Sequence, residues 1–302
     1  MVYVKLLPNP NSYLHIINGF VGDKLAVKMD SWAIPMSFRI DGRDVRAAEL
    51  PRKYHGKKIV VCVHGLMANE RIFKHFVDWG RGFVPLHVRY NTGLHISENG
   101  QALAKILNAL AEETRAKKIV LVGHSMGGLV IRSACYYGDK HGQDWVKRVP
   151  TIFLIAVPNA GAALEQLGHT TSYILKKLAK WHLNYLADII EQRSNGIKDL
   201  RLGFMLDEDW QGNPDITQHS DARMTVPPIP GIDYHILIGN LSANEKSLLS
   251  KYFGDGLVTP ASAVGMTFLN SATVKIFPRT GHNSILASTQ VHRYIRGILE
   301  GL

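Results

Sequence analysis

Gly123-His124-Ser125-Met126-Gly127 is the segment of this 302-residue chain whose residue types and spacing promise chemistry. A serine hydroxyl is a poor nucleophile until a base takes its proton. Placed between small residues two positions away on either side, it can sit on a sharp strand-to-helix turn that exposes Oγ. Gly123 and Gly127 supply those small neighbours, so the turn forms without side-chain clash. The flanks fit the same turn. Lys118-Ile119-Val120-Leu121-Val122 reads as a buried strand, and a helical run follows Gly128 to about Tyr137. Ser125 is the expected nucleophile.

The base and its orienting acid should follow in the order Ser, acid, His. Seven histidines lie downstream: His141, His169, His182, His219, His235, His282 and His292. His235 falls within a strand pattern and His292 within the last helix, positions that suit structural histidines. His282 lies in Arg279-Thr280-Gly281-His282-Asn283, a loop just past a strand, where the functional groups of open parallel sheets gather. It is the expected base. Among the acids, Asp233 precedes its strand and belongs at the wrong end of the sheet. Asp207, Asp209, Asp215 and Asp221 fall in a polar stretch and read as solvated carboxylates. Asp255, in Gly254-Asp255-Gly256-Leu257-Val258, has the right order and the right side, and is the expected third member. Acyl transfer also needs donors for the developing oxyanion. One is expected from the backbone N–H of Met126. The other should come from the loop His64-Gly65-Leu66-Met67, from Leu66 ahead of Met67.

These residues need a frame. Strand signals fall at Lys58–Val63, Phe83–Tyr90, Lys118–Val122, Val149–Val157, Tyr234–Ile238 and Ala272–Phe277. A helix is expected over Gln101–Lys117 with Ser97 as its cap, and another over Ser284–Leu299. Near-continuous apolar strands alternating with helices predict an α/β fold with a mostly parallel sheet covered on both faces. Residues 1–159 and 232–302 form this core. Residues 1–57 carry weaker signals, notably Pro35–Ile40, and are expected to add antiparallel edge strands. Residues 160–231 read as an inserted helical cap. Within the cap, Ile174, Leu175, Leu178, Tyr185, Leu186 and Ile189 share one helical face, opposite Lys176, Lys177, Lys180 and Asn184. Such a stripe suits a packed cap helix, or a lid whose apolar face meets lipid or ester substrate.

Composition narrows the classes further. With 46% apolar residues the chain can build a sizeable core, which excludes disorder. Two cysteines, Cys62 and Cys135, exclude a disulfide scaffold and a cysteine-rich metal site, and both read as small buried side chains. The excess of 35 Lys+Arg over 25 Asp+Glu is scattered rather than clustered, so a nucleic-acid partner is not expected. It leaves room for peripheral contact with an anionic lipid surface. Met1 to Asp23 lacks a basic-then-apolar leader, and no run of 18 apolar residues occurs, so a cytoplasmic location is the expectation.

His64-Gly65-Leu66-Met67, Gly123-His124-Ser125-Met126-Gly127-Gly128, Asp255-Gly256-Leu257-Val258 and Gly281-His282 together resemble the α/β-hydrolase superfamily of lipases and esterases. Within it the chain is similar to the bacterial branch related to GPI inositol-deacylases and triacylglycerol lipases. Arg89-Tyr90-Asn91-Thr92-Gly93-Leu94-His95-Ile96-Ser97 and Arg193-Ser194-Asn195-Gly196-Ile197-Lys198-Asp199-Leu200 add to the match. The resemblance implies an α/β-hydrolase fold and a serine hydrolase acting on small-molecule or lipid carboxylic esters, with neither metal nor cofactor. A thioesterase, amidase or acyltransferase would use the same three residues, and a non-catalytic membrane-surface or partner-binding module is the remaining alternative. One segment departs from the family. Ala156-Val157-Pro158-Asn159-Ala160-Gly161 stands where such lipases often carry Gly-Thr-Pro-His.

Overall fold

The computed structural model describes residues 13–161, 193–211, 223–242, 255, 258–265, 268 and 271–302. Its eight strands are β1 (Ser37–Ile40), β2 (Arg43–Val45), β3 (Lys58–Val63), β4 (Phe83–Arg89), β5 (Lys118–His124), β6 (Thr151–Ile155), β7 (Asp233–Asn240) and β8 (Ala272–Pro278). They form one sheet in the order β2-β1-β4-β3-β5-β6-β7-β8. From β4 to β8 every pairing is parallel, whereas β1 runs antiparallel to both β2 and β4. This mostly parallel sheet wrapped by helices is the α/β-hydrolase fold.

The continuous apolar runs of the central strands follow from burial on both faces. In β3, Ile59, Val61 and Val63 join one core with Leu103, Leu107 and Leu110 of α2 (Ile96–Thr114) and Leu129 and Val130 of α3 (Met126–Lys140). Val60 and Cys62 point the other way, into a core with Phe73, Phe76, Trp79 and Val291, Ile295 and Leu299 of α6 (Thr289–Glu300). β5 divides in the same manner, Ile119 and Leu121 against Val120 and Val122. Each such fully buried Val, Leu or Ile contributes about 1.5–3 kcal/mol, so a polar alternation here would cost the fold its centre. Both cysteines are free and buried.

The chain reverses its direction of travel across the sheet at β3. β4 lies on one side of β3, and β5, the next strand, lies on the other. The carboxyl ends of β3 and β5 therefore flank a topological switch point, the place where open parallel sheets leave a crevice.

Four expectations are revised. Residues 1–57 do supply the edge strands β1 and β2, but they also contain helix α1 (Leu14–Val27), which the sequence reading missed. Helix α2 starts at Ile96, so Ser97 lies inside it and His95 occupies the cap position. The final helical segment divides into a 3-10 turn at Ser284–Ala287 and α6, because Ser288 is extended. Asp209 is buried rather than solvated, accepting hydrogen bonds from the N–H groups of Met205, Leu206 and Met224. The amphipathic stretch at 174–189 lies outside the described residues. Of the insertion, residues 193–211 contain helix α4 (Asn195–Leu202), and a short helix α5 (Pro260–Val264) follows β7. Among the described residues no helix is long and apolar enough to cross a membrane.

Candidate active site

Ser125 stands between the last residue of β5 and the first of α3 with φ 53° and ψ −129°. A non-glycine residue in this region is strained by about 1–3 kcal/mol and persists only where its surroundings impose it. Two backbone bonds impose it here. The Ser125 N–H donates to the Ile155 carbonyl at 2.9 Å, and its own carbonyl accepts the Gly128 N–H at 3.0 Å. The flanking glycines allow the close approach that the turn needs. A Cβ on Gly123 would lie 2.6 Å from the Gly128 Cα, and one on Gly127 would run into the Val63 and His64 carbonyl oxygens at the end of β3.

Across the switch point, Gly65 faces Ser125. A Cβ on Gly65 would come 2.9 Å from the Ser125 Cβ and 3.4 Å from its Oγ. The Met67 N–H that follows is engaged, donating to Thr92 Oγ1 at 3.2 Å. Helix α1 covers this loop from outside, where Phe20, Met67 and Ile197 form a small apolar cluster. Ser194 Oγ donates to the Gly19 carbonyl at 2.6 Å and Asn91 Nδ2 to the Gly22 carbonyl at 2.8 Å, stitching α1 to both motif segments.

Asp255 and His282 meet beyond the ends of β7 and β8. The His282 Nδ1 lies 3.0 Å from Asp255 Oδ2, and the His282 backbone N–H donates to the Asp255 carbonyl at 2.9 Å. Asp255 Oδ1 accepts the Val258 N–H at 2.7 Å, and its side chain is fully buried. A buried carboxylate so held accepts the ring N–H, which leaves the lone pair of a neutral imidazole on Nε2. The His282 loop is anchored on Ser125's side too. His124, immediately before the serine, has its Nε2 2.9 Å from the His282 carbonyl oxygen, with the two rings 4.9 Å apart between centroids.

The other histidines differ in environment. His235 Nδ1 sits 2.9 Å from the Tyr294 hydroxyl, and His292 Nε2 donates to the Leu286 carbonyl. His64 is stacked on Tyr90 and buried, which pushes its pKa down to about 4. His169, His182 and His219 lie outside the described residues.

Two arrangements escaped the sequence reading. His95 Nδ1 lies 2.9 Å from Asp199 Oδ2, which also accepts the Ile96 N–H at 2.8 Å at the start of α2. Trp210 stacks on the His95 ring at 3.8 Å and donates to Ser97 Oγ. The segments 89–97 and 193–200 thus interlock through one buried carboxylate that meets both the His95 ring and the Ile96 N–H. Asn159, where related lipases often have His, accepts from the buried Arg132 guanidinium at 2.9 Å and donates to the Ala263 carbonyl. Burial pushes the Arg132 pKa down to about 10, and its guanidinium lies over the Phe268 ring. The departure from the family pattern is therefore a strut in the wall beside β6.

A family model described as the PGAP1-like alpha/beta domain matches residues 69–232. No curated protein sequence matches the chain. Among solved structures, the mature lipase BlEst2 of Bacillus licheniformis is similar at 21% identity and TM-score 0.50, covering 81% of this chain and 92% of that one. YbtT, a type II thioesterase from the yersiniabactin pathway, is similar at 12% identity and TM-score 0.52, with 81% and 92% covered. At these identities the two structures speak for the fold.

Proposed function

The chain belongs to the PGAP1-like alpha/beta domain family, and from that premise we propose that it is a serine hydrolase cleaving carboxylic esters through an acyl-enzyme. The observation that carries this reading is the Asp255–His282 couple at 3.0 Å, joined through His124 to a serine held at φ 53° on a strand-to-helix turn. A solvated loop has no need of a buried carboxylate aimed at an imidazole whose own backbone is bonded to the residue before a strained serine.

In this reading His282 Nε2 takes the Ser125 hydroxyl proton as Oγ attacks the ester carbonyl. Asp255 keeps the ring in the required tautomer and offsets its charge once protonated. The oxyanion is received by the N–H groups of Met126 and Leu66. Met126 is the first residue of α3 and has no intrahelical acceptor. Because the Met67 N–H is engaged with Thr92, Leu66 is favoured as the second donor. His282 then protonates the leaving alcohol and activates water, which releases the acid and restores Ser125.

The test is turnover of a p-nitrophenyl ester series, acetate to palmitate, beside thioester and amide analogues. Oxygen esters should be cleaved fastest, and Ser125→Ala should abolish that cleavage in a folded protein. Preference for thioesters would move the assignment to a thioesterase.

A further inference from the structure

We infer that His124 is a positioning residue for the base, its ring acting as the strut that sets His282 relative to Ser125. This rests on the serine-hydrolase reading and names a part of that site which the nucleophile, base, acid and oxyanion donors leave out. A carbonyl oxygen can only accept, so the contact at 2.9 Å between His124 Nε2 and the His282 oxygen requires the proton on Nε2. His124 is buried at the end of β5, and burial, with the His282 ring next in effect, pushes its pKa down to about 3. The ring is therefore neutral at pH 7. It holds the donor in place without setting a second positive charge beside His282 as that ring becomes protonated. Its Nδ1 is buried and has no hydrogen-bond partner among the described residues, so the ring is held by the single bond through Nε2.

The geometry explains why this bond matters. His282 is held by Asp255 at its backbone N–H and at Nδ1, and neither bond involves the strand that carries Ser125. The bond from His124 to its carbonyl is the third attachment, and it originates one residue before Ser125. Nucleophile and base are thereby referred to the same point on β5. Without that bond the described ties of the loop Arg279–Asn283 run to Asp255, to the ends of β7 and β8 and to its own turn, through Arg279 N–H to the Ser242 carbonyl, Thr280 N–H to the Asn240 carbonyl, Thr280 Oγ1 to the Phe277 carbonyl and Gly281 N–H to Ser284 Oγ. None of those ties senses where Ser125 is.

The experiment compares wild type, His124→Leu, His124→Asn, His124→Gln and Ser125→Ala. It records kcat and KM on p-nitrophenyl butyrate, the rate of phosphonylation by a fluorophosphonate, and the thermal midpoint. A glutamine amide reaches to the place of Nε2 and can donate there, whereas asparagine has the same chemistry but falls short. His124→Leu and His124→Asn should lower kcat and phosphonylation about 10–100-fold with KM within about twofold, the loss expected of a reacting group displaced by about an ångström. His124→Gln should recover kcat to within about fivefold of wild type. Wild-type kcat in a folded His124→Leu or His124→Asn protein overturns the inference while leaving the serine reading intact. An equal loss in Gln and Asn variants also overturns it, since packing alone then accounts for the residue. Turnover retained by Ser125→Ala removes the serine reading and this inference with it.

Discussion

Asp255 holds His282 twice, through Oδ2 to the ring Nδ1 at 3.0 Å and through its carbonyl to the backbone N–H at 2.9 Å. One residue thus sets both the position of His282 and the orientation of its ring. Its remaining carboxylate oxygen accepts the Val258 N–H, so the acid is itself held on both sides. Asp255→Asn keeps an acceptor for one of these bonds but disfavours the tautomer that frees Nε2. Turnover should fall by about 10⁴ while the thermal midpoint moves little. Steady-state kinetics with parallel melting curves check this, and a loss under tenfold in the folded variant would remove Asp255 from its role.

Gly65 and Gly127 should respond differently to alanine. A Cβ on Gly127 meets backbone carbonyls of β3, which cannot step aside, so Gly127→Ala should destabilise the fold by about 1–3 kcal/mol or more, the range of overpacking. On Gly65 the nearest atoms are the Ser125 Cβ at 2.9 Å and the His124 carbonyl oxygen at 3.2 Å, so the methyl presses on the turn that carries Ser125. Gly65→Ala should destabilise the fold less than Gly127→Ala yet react with a fluorophosphonate about 10–100-fold more slowly than wild type. Urea unfolding and labelling rates, measured on both variants, separate the two effects. Equal behaviour of the pair would contradict the geometry.

The His95–Asp199 pair joins α2 to α4 from positions over a hundred residues apart in sequence. Asp199→Ala strands the Ile96 N–H and the His95 ring in a buried setting. Leaving those buried donors without their acceptor should cost about 1–3 kcal/mol. A urea midpoint unchanged from wild type would show that the link is dispensable.

Two buried imidazoles predict acid lability. His64 and His124 have pKa values pushed by burial from 6.5 to about 4 and about 3. Below pH 6.5 the unfolded chain binds two protons that the folded chain refuses, so stability falls as pH falls toward 4. At about 1.4 kcal/mol per pH unit for each group, the loss between pH 7.5 and 4.5 should be roughly 5 kcal/mol from this pair. Urea titrations at those two pH values measure it. Stability that is flat or rises on acidification would show that the rings protonate in the folded state.

Much of the frame was legible because its signal is local. β3, β5 and β6 are buried on both faces, so their apolar runs are continuous and their positions follow from residue type alone. Helix α1 was not legible. Its inward face is Asn18, Gly19, Phe20 and Gly22, which pack by backbone contact and side-chain hydrogen bonds rather than by an apolar stripe. Asp209 misled for a related reason, since a carboxylate in a polar stretch looks solvated until the three N–H groups it accepts are brought around it. At the site, the order Ser125, Asp255, His282 and their places after strands could be read directly. The bond from His124 to the His282 carbonyl could not, because it joins a side chain to a backbone atom 158 residues away.

Whether Ser125 is the nucleophile is decided by covalent labelling. Wild type treated with a fluorophosphonate should gain one adduct, located on the peptide carrying Ser125, and lose ester turnover in proportion. Ser125→Ala should remain unlabelled and inactive while melting as a folded protein. An adduct on another residue, or ester turnover that survives in Ser125→Ala, would show that the nucleophile is not Ser125.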